Sequence, residues 1–208
     1  QEAGRQMLAS ARERATAAGV QQLDGRLRHG ELVDTVLEFE PDARLFVLGA
    51  HYRASSSSRI HLDHHVERVI RAVRRPVLVA TTGPFAPPER FVVAYDGSAT
   101  ANTTVEMVAR SPLLKGLPAL VAMVGADTTQ AQEQLAAAAN QLHAAGFAVQ
   151  TQLLPGEPEQ ALPELLASQG AALLVMGAYG HSRIRHLIVG STTTTLLRLS
   201  QVPVLILR

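Results

Sequence analysis

The chain has no cysteine and no tryptophan among its 208 residues, and aromatic residues make up only 4% of it. Without cysteine there is no disulfide framework, no thiol nucleophile and no thiolate metal site. Neither charge sign dominates: 19 Lys and Arg stand against 18 Asp and Glu, so there is no general electrostatic attraction to nucleic acid or to an anionic membrane. No apolar run approaches the ~20 residues needed to cross a bilayer. The stretch Gln1–Gly19 carries Arg5, Arg12, Glu13 and Arg14 through its middle, unlike the apolar centre of a secretory signal. A hydrophobic fraction of 47% with 18% charged residues excludes wholesale disorder. A soluble, cytoplasmic protein is expected.

The sequence repeats itself. Gly19-Val20 lies 127 positions before Gly146-Phe147, and Gly30-Glu31 lies 126 before Gly156-Glu157. Leu45–Ala50 lies 128 before Leu173–Ala178, and Pro76–Val79 lies 127 before Pro203–Ile206. Four matches at one nearly constant offset mark two copies of one unit. The expected domains are residues 1–83 and 90–208, divided by the turn-rich Gly83-Pro84-Phe85-Ala86-Pro87-Pro88.

The second copy reads as strands joined by helices. Phe91–Tyr95, Ala119–Val124, Phe147–Leu154, Ala171–Met176 and Pro203–Leu207 are the apolar strand candidates. Thr100–Ser111, Thr128–Ala145, Glu157–Ser168 and Thr192–Ser200 have helical composition. Continuous apolar strands with helical crossovers predict a parallel sheet covered on both faces, an open α/β sandwich.

Ligands of such sheets bind outside the carboxyl ends of the strands, where strand order reverses. Two strand ends here carry unusual chemistry. The first is Asp96-Gly97-Ser98, whose carboxylate suits ribose hydroxyls or an adenine amine. The second begins at Gly177 and runs through Gly180 to Gly190-Ser191-Thr192, a Gly-x2-Gly-x9-Gly-Ser loop leading into a helix. Gly177 and Gly180 allow positive φ and close backbone approach, so that amide groups can turn toward an anion. Gly190, Ser191 and Thr192 open a helix whose free N–H groups and dipole favour phosphate. His181, Arg183 and Arg185 add positive charge, and Met176 precedes the loop.

Over essentially its whole length this second copy resembles the universal stress protein family. Val93-Ala94-Tyr95-Asp96-Gly97-Ser98, the glycine loop and the closing Pro203–Leu207 strand carry the resemblance. The resemblance implies a five-stranded sheet in the order 3-2-1-4-5 in each copy, with ATP, or alternatively ADP or AMP, and Mg2+ at the switch point. It implies that Asp96 and Val124 face the nucleoside, that Gly177 and Gly180 shape the loop, and that Gly190, Ser191 and Thr192 hold phosphate. Met176 and His181 complete the expected cofactor-binding set. Met123 stands where the family often has histidine.

The first copy has lost this loop. Tyr52 stands where Gly180 would be, and Leu62-Asp63 or Asp63-His64 replaces the later Gly-Ser. A bulky side chain and a carboxylate there oppose a triphosphate. Four of the eight histidines, His51, His61, His64 and His65, gather in this region. His61 and His65 have the i, i+4 spacing of a zinc pair, with Asp63 or His51 as third ligand; the alternative is a polar helix start covering the lost site.

No nucleophile–base set stands out, and no Walker lysine follows the glycine loop. The expected function is therefore nucleotide-dependent regulation in stress response with little or slow hydrolysis. The alternatives are a slow ATPase, an adenylyl transferase or autophosphorylation on Ser191 or Thr192–Thr195. A small-molecule or lipid module built on the first cleft is a further one. Exposed apolar edge strands need a partner, so Pro76–Ala80 and Pro203–Leu207 are expected to pair antiparallel and join the two domains; a homodimer of the whole chain is also open. Nothing in the first copy matches Phe91–Asp127, so its first strand, first helix and second strand are missing, and the 208 residues are expected to be an incomplete record of a longer tandem protein.

Overall fold

The computed structural model describes residues 2–49, 64–81, 85–170, 172–177 and 191–208. In the first half these form α1 (Glu2–Ala17), α2 (Leu32–Phe39), β1 (Phe46–Gly49), α3 (His64–Ala72) and β2 (Val77–Ala80). The second half alternates regularly: β3 (Arg90–Ala94), α4 (Ala99–Ala109), β4 (Ala119–Val124), α5 (Thr129–Ala144), β5 (Val149–Leu154), α6 (Pro158–Ser168), β6 (Ala172–Gly177), α7 (Ser191–Leu199) and β7 (Val204–Leu207). Except for the edge strand β5, with Gln150, Thr151 and Gln152 exposed, the strands are short, apolar and rich in Val and Leu, which suits a sheet buried on both faces. Local chemistry starts the helices. Ser98 Oγ accepts from the Ala101 N–H at 3.1 Å to open α4, and Thr128 Oγ1 accepts from Ala131 N–H at 3.1 Å to open α5. Pro158 sits in the first turn of α6, where its missing N–H costs nothing.

The strands form one continuous seven-stranded sheet in the order β1-β2-β7-β6-β3-β4-β5. Every neighbouring pair is parallel except β2 and β7, which run antiparallel with Val77 opposite Ile206, Leu78 opposite Leu205 and Val79 opposite Val204. Each would otherwise be an apolar edge with unpaired backbone groups. Residues 20–29, which align with the sequence around β5, form no strand. A strand in this position needs a neighbour equivalent to β4 for its ladder, and β1 pairs only with β2 among the described residues.

Helices cover both faces, in two apolar clusters. One face packs α4 and α5, through Val105, Val108, Leu135 and Leu142, against Phe91, Val93, Val121 and Val175. The other packs α2, α3, α6 and α7, through Val36, Val69, Ile70, Leu165, Leu166 and Leu196, against Val92, Leu174, Val79 and Ile206. The second cluster extends across both halves of the sheet. The first lies mainly on β3, β4 and β6, with Leu45 and Leu78 at its margin. Among the described residues no helix is long and apolar enough to cross a membrane.

Candidate functional site

The strand order reverses between β3 and β6. The chain moves from β3 outward to β4 and β5, then returns to the other side of β3 as β6. Both strands run parallel, with Val92 opposite Leu174 and Val93 opposite Val175, so their carboxyl ends open side by side into one crevice. That is where an open α/β sheet binds its ligands.

At the β3 end, the Asp96 Oδ1 accepts the Ser98 N–H at 2.9 Å. This Asx turn holds the carboxylate at an exposed position and leaves its other oxygen for a ligand. Gly97 has φ +74°, and a Cβ there would lie 2.6 Å from Cδ of Gln134, which reaches across from α5. The left-handed backbone favours glycine, and any side chain there would also have to displace the Gln134 amide. Ser98 is spent on capping α4. Tyr95 points to the opposite side of the strand, where its hydroxyl donates to Asn102 Oδ1 at 2.6 Å. Burial, and then the Asp96 charge, push its phenol pKa upward, so it stays protonated beside the carboxylate.

Side chains alternate along a strand, so residues on one face of neighbouring strand ends converge. Ala94, Val124 and Met176 all lie on the face packed by α6 and α7. Val124 is half-buried and Met176 is 5% exposed, making a short apolar floor beside Asp96. Val124 and Met176, both expected from the sequence, are thus brought to one side of the crevice. Ala94 joins them and was missed, because a small residue within an apolar strand gives no signal of its own.

Gly177 corrects one expectation. It is the last residue of β6 and does not have the positive φ expected of it. Its need for glycine comes from α4 instead: a Cβ at Gly177 would lie 2.6 Å from Thr104 Oγ1 and 2.7 Å from Thr100 Cγ2. Thr104 is 1% exposed and its hydroxyl donates to the Thr100 carbonyl at 2.9 Å, so it is held firmly. The start of the glycine loop is therefore seated by α4. Neither threonine was legible as a site residue, since the contact joins positions far apart in sequence.

Gly180, His181 and Gly190 lie outside the described residues, as do Arg183 and Arg185. Ser191 and Thr192 form the first turn of α7, with their side chains outside the described set. In the first half, Tyr52, His51, His61 and Asp63 also lie outside it. Among the described residues no group of three or more His, Cys, Asp or Glu could hold a metal ion.

Comparison with known proteins gives this arrangement its kin. A family model described as "Universal stress protein family" matches residues 114–208. The universal stress protein Slr1230 of a Synechocystis species is 35% identical over 204 residues, covering 97% of this chain and 71% of that protein. The chain belongs to the universal stress protein family. Among solved structures, a universal stress protein from Archaeoglobus fulgidus superposes with a TM-score of 0.76 at 22% identity, over 100% of this chain and 78% of that one. A universal stress protein solved in complex with cAMP is 27% identical, with a TM-score of 0.50 over 59% of this chain and 98% of that one.

Proposed function

We propose that this family member binds ATP, or ADP or AMP in its place, through the second half of the chain, residues 90–208. The bound nucleotide would act as a regulatory ligand in stress response. The observation that carries this reading is the convergence of Asp96, Val124, Met176 and Gly177 at the β3–β6 switch point. Those residues suit the group. The exposed oxygen of Asp96 accepts from ribose hydroxyls, while Ala94, Val124 and Met176 offer an apolar surface to a base. Gly177, Gly180, His181 and Gly190 would supply the phosphate contacts, as the glycine spacing of the sequence suggests. The N–H groups of Ser191 and Thr192 at the head of α7 complete the anion site. Mg2+, carried on the phosphates, would offset their charge. The neighbour solved with cAMP supports a nucleotide at this fold. A bound nucleotide stabilises whichever conformation holds it, so partner recruitment can follow ligation without hydrolysis. Slow hydrolysis or phosphorylation at Ser191 or Thr192–Thr195 is the enzymatic alternative.

The first half is, in this proposal, a second unit of the same kind that keeps its frame and has given up its phosphate loop. Three pairs of elements support the tandem reading: α1 and α5, α3 and α7, and β2 and β7 each begin and end 127 positions apart. The β2–β7 register supports it too. Leu78 faces Leu205, its own counterpart at that offset, as a quasi-two-fold axis between paired domains requires. The Thr194 hydroxyl and the Glu67 carboxylate, also counterparts, meet at 3.5 Å near the same axis.

Gly180→Tyr copies the first half's own substitution into the second, and titration with ATP tests the assignment. The expected outcome is a loss of ATP affinity of ~10-fold or more, with the ligand-free melting temperature unchanged. Equal ATP binding by the variant and the parent chain removes the site from this loop.

A further inference from the structure

Among the described residues one buried side-chain polar atom has no hydrogen-bond partner, Nε of Arg198 in α7. A covered, unpaired N–H on a charged group is costly and points to an acceptor that the chain itself does not supply. The surroundings of Arg198 show what is missing. α7 meets α3 of the first half where the Thr194 hydroxyl donates to Glu67 Oε1 at 3.5 Å. One helical turn further along the same stripe stand Arg71 in α3 and Arg198 in α7. Side chains on a helix lean toward its N-terminus, so both guanidinium groups are directed back toward this meeting point. In α3 the turn is closed: Arg71 pairs with Glu67 Oε1 at 2.6 Å. In α7, 127 positions later, Thr194 stands in the place of the glutamate, and Arg198 has no carboxylate one turn before it. Two arginines thus share one carboxylate at the seam between the helices.

We propose that this seam binds one small oxyanion of the phosphate or sulfate class, held by the Arg198 guanidinium and the Thr194 hydroxyl. An arginine fork offers parallel N–H donors to such an ion, and a hydroxyl adds another. Thr194 can turn from Glu67 to the ion at little loss, because a 3.5 Å contact is weak. The charge is matched as well: Arg71 and Arg198 against Glu67 leave one positive charge over, which a singly charged ion neutralises. Thr194 and Arg198 are both half-buried, and the Glu67 side chain is 18% exposed. An ion can therefore reach the seam from solvent, and partial burial strengthens its hold. A phosphate carried on a larger group has the same chemistry, but a seam between two packed helices favours the free ion. Bound there, the ion ties α3 to α7 and makes the pairing of the two halves respond to its concentration. The inference uses the 127-residue offset only to compare two turns of helix, and it does not rest on the nucleotide reading.

Thermal unfolding of the full chain against inorganic phosphate, with chloride keeping the ionic strength constant, tests the site. A saturable rise in melting temperature is expected, about 3 °C or more at roughly ten times the dissociation constant. Arg198→Met keeps the apolar stem and removes the donors. Its remaining response measures non-specific stabilisation by the salt, and the saturable part should vanish. Thr194→Glu writes the pairing of α3 into α7 and gives Arg198 an acceptor of its own. That variant should melt higher than the parent chain without phosphate and should no longer respond to it. Gly180→Tyr should keep the full response, which separates this ion from any phosphate in the glycine loop. Calorimetric titration compares inorganic phosphate with O-phosphoserine, and the free ion should bind more tightly. No saturable response in the parent chain, or one that persists in Arg198→Met or Thr194→Glu, overturns the proposal. A response lost in Gly180→Tyr moves the ion to the glycine loop, and tighter binding of O-phosphoserine moves the site to a phosphorylated partner; either result also overturns it.

Discussion

α1 and α5 are helices of equal length, 16 residues each, starting 127 positions apart. α5 seals one face of the sheet with Leu135 at 3% exposure and Leu142 fully buried; α1 buries nothing. Alanine-rich composition and spacing permit a helix in both places, so the difference is made by what lies beneath. A helix gains its stabilising energy from a packed face, and burying one Leu is worth about 1.5–3 kcal/mol. What lies beneath a helix, more than its own sequence, decides how much it contributes.

Matched substitutions sharpen the contrast. Leu135→Ala in α5 removes a side chain from a closed core and should cost ~3 kcal/mol, lowering the melting temperature by about 6–12 °C. Leu8→Ala in the exposed α1, 127 positions earlier, should cost less than about 0.5 kcal/mol. Thermal unfolding of the two variants checks this, and equal losses would mean that α1 is packed in solution. The glycines at the ends of β6 and β1 give a smaller effect of the same form. Gly177→Ala drives a methyl into Thr104 and Thr100, which are stiff at χ1, and should cost ~1–3 kcal/mol. Gly49→Ala meets open space and should change stability by no more than ~0.5 kcal/mol. Urea denaturation of the pair decides; a Gly49→Ala loss matching that of Gly177→Ala would show that the end of β1 is packed as closely as that of β6.

Much of this could be read in the sequence, because strands such as Ala119–Val124 announce themselves by continuous apolar residues and helices such as α5 by alanine runs ended at Gly146. The site was half legible. Asp96 and Gly177 stand at strand ends next to turn-forming residues, where chemistry is visible in one dimension. The reason for Gly177 was not, since it lies in a contact with Thr104, seventy-odd positions away. Ala94 was invisible for a different reason: only the fold shows that it shares a sheet face with Val124 and Met176. Positions 20–29 lie 127 positions before the stretch around β5 but form no strand, and a strand is a property of a pair that the sequence of one member does not reveal.

In the proposed function the two halves differ in what they bind: the half with Asp96 and the glycine loop would take one nucleotide, and the half with Tyr52 and Asp63 would take none. Calorimetric titration of ATP into the nucleotide-free full chain measures this directly. One nucleotide bound per chain, lost on Gly180→Tyr, is the result expected. Two per chain, or one that persists in Gly180→Tyr, would contradict it.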